Sequence, residues 1–140
     1  MLDLLVSAAI LLWAPANHLS QHGLDQIRLR EGEPVAMRDI WDAERVVRAA
    51  THVPLTQAKF DALVSFEYNV GATRFRHSNV LAAVNNHGDV PSRLATYRLV
   101  RGRVSRGIIR RRQAEIAQWN AEYVDNARHD GRLASTGDSG

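Results

Sequence analysis

Apolar residues in this chain recur at three- and four-residue spacing, in short blocks that glycine, proline and capping residues cut off, and no stretch alternates every second residue. That pattern predicts an all-α fold of short helices around one core. Ser20 caps a helix running to about Arg30 and stopping near Gly32, with Pro34 just beyond and Leu24 and Ile27 on one face. A second helical pattern covers about residues 35–51 through Val35, Ile40, Ala43, Val46 and Val47, and Pro54 breaks it. Thr56 caps a third, carrying Phe60, Leu63, Val64 and Phe66 and ending at Asn69 and Gly71. Ser78 opens a fourth over Val80, Leu81 and Val84, closed by His87-Gly88-Asp89, and Pro91-Ser92 starts a fifth with Leu94, Ala95 and Leu99. Gly102 and Gly107 punctuate an arginine-rich connector before a last helix over about residues 108–124.

The 140 residues suffice for one domain with a modest core. The organisation read from the pattern is an apolar N-terminal segment at 1–16, a helical domain at 17–124 and a polar flexible tail at 125–140. Residues 4–14 are too short an apolar run to span a bilayer in the usual way, but they fit a signal-peptide core, with Ala14-Pro15-Ala16 as cleavage site. Against a signal, no Lys or Arg precedes the run and Asp3 does; the other reading is an extra helix packed on the domain. A signal or membrane tether there implies the periplasm or cell envelope, and otherwise the cytoplasm. The chain has no cysteine, which excludes disulfides, thiol catalysis and cysteine-ligated zinc.

The net charge is +3, carried almost wholly by arginine, with Lys59 the only lysine. Eight arginines between Arg93 and Arg112 fall in a stretch with no Asp or Glu, which is either a solvated basic face or a surface for an anionic partner. Only Tyr97 lies among them, so a base-stacking platform is missing and no nucleic-acid partner is expected. His18 and His22 are four apart without a third ligand, and there is no P-loop, dinucleotide fingerprint or G-x-S-x-G elbow. No metal and no cofactor are expected, and the chain is expected to be a monomer.

Four segments in order resemble the phage-type lysozymes, the endolysins of glycoside hydrolase family 24. They are Leu19–Gly32, ending in a Glu-Gly pair; Val53-Pro54-Leu55-Thr56-Gln57 continuing through Phe60–Phe66 to Asn69-Val70-Gly71; Ser78-Asn79-Val80-Leu81 with Asn85 and Gly88-Asp89; and Gly107–Glu115, matching a Gly-Leu-x-x-Arg-Arg-x-x-Glu element. The resemblance implies the C-terminal helical lobe of a lysozyme-like fold, peptidoglycan as partner, and hydrolysis of the glycosidic bond between N-acetylmuramic acid and N-acetylglucosamine. It implies Glu31 as the general acid. Glu31 would sit at the C-terminal end of its helix, where the dipole works against a carboxylate. The resemblance also supplies a structural role for much of the arginine cluster.

The chain departs from the family after Gly32. Relatives continue into a small β-lobe whose Tyr-x-Asp and Thr-Ile-Gly-Tyr-Gly-His-like stretches supply a catalytic Asp and Thr; here residues 33–52 hold neither. An inverting glycosidase needs a second carboxylate roughly 6.5–9.5 Å from the acid to activate water. Glu33, Asp39, Asp42 and Glu44 are the candidates by position, with ordinary helix-surface charge as the alternative. Severe loss of activity is therefore expected. The alternatives are an inactive peptidoglycan-binding or vestigial prophage domain, or a basic membrane-disrupting protein acting through its arginine-rich C-terminal helix. Arg30 and Gln26 replace an aromatic and an aliphatic residue of relatives, which predicts a more open face there.

Overall fold

The computed structural model describes residues 18–32 and 34–121; the expectations for segments 1–16 and 125–140 lie outside them. The described residues form seven helices and one small hairpin. In order these are α1 (Gln21–Glu31), α2 (Met37–Ala50), α3 (Gln57–Val70), α4 (Ala72–Arg76), α5 (Asn79–Asn85), α6 (Val90–Ala95), β1 (Leu99–Val100), β2 (Arg103–Val104) and α7 (Arg106–Asn120).

Local chemistry sets the ends. Ser20, Thr56, Ser78, Asp89 and Ser105 each accept a backbone N–H of the turn that follows, satisfying donors the helix itself leaves free. Gly32 closes α1 in the left-handed conformation at φ 67°, where a side chain would be strained. Ser20 does more than cap. Its backbone N–H and its hydroxyl both donate to the buried carboxylate of Asp61 on α3, and Gln57 donates to the same group at 2.8 Å. The start of α1 is thereby pinned to the centre of the molecule.

That centre is α3, in which every residue from Phe60 to Glu67 is buried. A helix covered all round must be enclosed by others, and α3 packs against α1, α2, α4 and α7. Ile27, Ile40, Val47, Phe75, Val80, Val90 and Leu94 from five surrounding helices complete the core. Phe66 meets Phe75 and Tyr97 edge-on, at ring centroid distances of 6.1 and 5.0 Å.

Three features depart from the sequence reading. The short helix α4 directly after Gly71 was not expected; Phe75 inserts its ring into the core and five residues are too few for periodicity to show. The arginine-rich connector is an antiparallel hairpin, with Leu99 opposite Val104 and Val100 opposite Arg103. Its turn holds Arg101 and Gly102 at φ 50° and 76°, the two positive values of a tight hairpin turn. The last helix begins at Arg106, not 108, because Ser105 is the cap and Gly107 lies inside the first turn.

Candidate active site

Glu31 is the last residue of α1, and the chain reaches α2 by way of residues 32–36 alone. No lobe can be built in that interval, so the carboxylate faces the helical body directly. Its partner comes from the far end of the sequence: Arg111 of α7 donates to the Glu31 carboxylate. Arg111 is 11% exposed and Glu31 31%. The guanidinium supplies positive charge where the helix dipole is negative, which answers the electrostatic objection to a carboxylate at this position.

Beneath this pair runs a buried polar chain. Arg30 donates to Ser65 Oγ at 2.8 Å and to Gln26 Oε1 at 3.3 Å, and Ser65 donates to Glu115 Oε1 at 2.8 Å. Arg112 donates to Glu115, to Asn69 and, through Nε at 3.1 Å, to the Tyr97 carbonyl. Its guanidinium lies 4.8 Å from the centroid of the Phe66 ring. Burial pushes the Glu115 carboxyl up, with Arg112 and the Ser65 hydroxyl opposing the rise. Removing either member of such a pair leaves an uncompensated charge in the interior, so the network fixes where α7 sits and hence where Arg111 points. Arg30 and Gln26 were expected to leave this face more open; both are half-buried and partnered, bonding each other with Arg30 reaching Ser65, while Arg30 also borders an open trough.

A trough of about 520 Å³ borders Arg111, lined by Leu29, Arg30, Val100, Ser105, Ile108 and Arg110 among others. It adjoins a second of about 500 Å³ between Asn69, Arg74, Asn79 and the hairpin, the two sharing Val100 and Ile108. Glu31 lines neither; it meets the first through Arg111. Both troughs are open and polar, suited to a hydrated, extended ligand rather than an enclosed apolar one.

The structure separates the four carboxylates considered as a second catalytic group. Glu44 is buried and taken up by the Leu19 N–H at 2.8 Å, His18 at 3.3 Å and Arg48 at 3.6 Å. Asp42 pairs with Arg45 on the surface. Glu33 lies outside the described residues. Asp39 stays exposed in the first turn of α2 and shares a neighbourhood with Glu31 around Tyr68. Partial burial pushes the Tyr68 phenol up, the Glu31 and Asp39 carboxylates add to the rise, and Arg111 opposes it. Sequence reasoning had not assigned Tyr68 or the pairing of Arg111 with Glu31. The only advance signal for Arg111 was its place in the Arg-Arg-x-x-Glu element. His18 and His22 join no metal-ligating group among the described residues.

Comparison with known proteins gives this arrangement its context. The family model for phage lysozyme matches residues 16–115. The endolysin of Bacillus phage PZA is 35% identical over 105 residues, covering 71% of this chain and 40% of that protein. The SAR-endolysin of Escherichia phage Mu is 32% identical over 87 residues, covering 61% and 48%. The chain thus spans less than half the length of these two relatives. Among solved structures, the muramidase domain of SpmX from Asticaccaulis excentricus superposes with a TM-score of 0.70 at 23% identity, over 76% of this chain and 100% of that one. The expected fold class is borne out: this is the mostly helical lobe of a lysozyme-like fold. With a matched span that contains Glu31, the whole of α3 and Arg111, this chain belongs to the phage lysozyme family.

Proposed function

We propose that the protein is a lysozyme-type peptidoglycan hydrolase, acting on the bond between N-acetylmuramic acid and N-acetylglucosamine with Glu31 as general acid. The observation that carries this reading is the pairing of Glu31 with Arg111 across the domain, which holds one carboxyl in a fixed position beside an open polar trough. Arg111 is a positioning residue: it touches the acid, and the buried network around Arg112 and Glu115 holds its helix in place. The family and the muramidase named among the structural neighbours support the substrate class.

The second half of the chemistry is weakly provided. Asp39 is the described carboxylate best placed to activate water, because Glu44 and Asp42 are committed to other partners. Among the described residues no upper wall covers Glu31 to exclude solvent or hold the sugar in line, so this reading expects turnover to be low compared with a lysozyme that has both. Digestion of purified sacculi followed by mass analysis of the fragments tests the reading. It predicts glycan fragments ending in reducing N-acetylmuramic acid, and a fall of about a hundredfold or more in Asp39→Asn if that group is the base. Fragments ending in reducing N-acetylglucosamine, or cleavage confined to the peptides, would contradict the assignment.

A further inference from the structure

The hairpin β1–β2, whose Val100 borders both troughs, also carries an exposed combination of aliphatic and cationic side chains that the glycosidic reaction itself does not require. Leu99 and Val104 are direct cross-strand partners, so their side chains lie on one face of the ribbon, and they are 51% and 61% exposed. Val100, on the opposite face with Arg103, is 47% exposed. A two-stranded ribbon this small gains little from leaving aliphatic residues in water. Around this tip stand Arg98, Arg101, Arg103 and Arg106, and none of the four forms an ion pair among the described residues. No acidic residue occurs from Val90 to Ala114 to neutralise them locally. Arg101 is held in the left-handed region at φ 50°, where Asn or Gly is the less strained choice, so the turn carries a cation at its apex against backbone preference.

Polyanions such as nucleic acid or a wall polymer would satisfy the arginines but leave the aliphatic pair in water. A bilayer containing anionic lipid satisfies both, with the aliphatic side chains entering the boundary between headgroups and acyl chains and the guanidinium groups staying among the phosphates. No described helix is long and apolar enough to cross a membrane, so the contact is peripheral. We propose that the hairpin tip Leu99–Val104, with its flanking arginines, is a docking surface for an anionic lipid bilayer. This is a different element from the C-terminal helix considered as a membrane-active segment from sequence, and its action is adhesion rather than disruption.

The test is sedimentation of the full chain with vesicles of phosphatidylglycerol mixed into phosphatidylcholine, against phosphatidylcholine alone. Leu99→Ser/Val104→Ser and Arg101→Gln/Arg103→Gln are compared with the parent; all four sites are exposed, and circular dichroism checks the fold. The proposal expects binding to the anionic vesicles alone. The arginine pair of substitutions should weaken it roughly thirtyfold and flatten its salt dependence. The aliphatic pair should weaken it roughly tenfold and leave the salt dependence in place. Vesicles contain no glycan, so the result is independent of whether Glu31 hydrolyses peptidoglycan. Absence of vesicle binding, binding to sacculi or DNA alone, or vesicle binding that both variants retain would each overturn the proposal, the last by placing the contact elsewhere in the chain.

Discussion

Glu67 lies buried on α3 and forms no ion pair among the described residues. Burial pushes its carboxyl above the ordinary value of 4.5, with Arg76 opposing and Asp42 adding to the rise. A carboxyl raised in the folded state binds its proton more tightly there than in the unfolded chain, so its contribution to stability is full below pH 4.5 and declines as pH rises through the folded-state value. Glu67→Gln keeps the shape and removes the charge. It should therefore stabilise the protein near neutral pH by about 1 kcal/mol and flatten this part of the melting-temperature profile between acid and neutral pH; an equal or lower melting temperature at neutral pH would contradict this account. Residues differ in how much of this the sequence discloses. The position of Glu31 at the end of α1 was legible from the Glu-Gly pair, while its role as general acid stays a proposal. The fate of Asp39, Asp42 and Glu44 was not, because three carboxylates on one helix look alike until the partners from other elements are in place.

At the scale of elements, caps and breakers were read well because they act within a few residues: Ser20, Thr56, Ser78 and Gly32 do in the structure what their local chemistry implies. The hairpin and α4 escaped because two-residue strands and a five-residue helix are too short for any periodicity to repeat. The approach of α1 to α3 was equally hidden, since it depends on Gly23. A Cβ at Gly23 would lie 2.7 Å from both the Asp61 carboxyl carbon and Leu19 Cδ1. Gly23→Ala must therefore push α1 off the Ser20–Asp61 contact, although alanine is the better helix former. Chemical denaturation should show a loss of about 1–3 kcal/mol; an unchanged or higher midpoint would mean that α1 is not seated as described.

At the scale of the molecule, the contacts of the described core are internal to α1–α7: α3 is enclosed on all sides, and the polar chain from Arg30 to Arg112 ties α1, α3 and α7 together. Among the described residues, the same architecture orients one carboxyl, Glu31, by one arginine. The central claim is that this one carboxyl still does acid catalysis. Its most direct test is the release of reducing ends from purified sacculi by the protein beside its Glu31→Gln variant, both shown folded. The account predicts slow release by the protein and a loss of about a hundredfold or more in the variant. Equal release by both, or none from the parent, would contradict it.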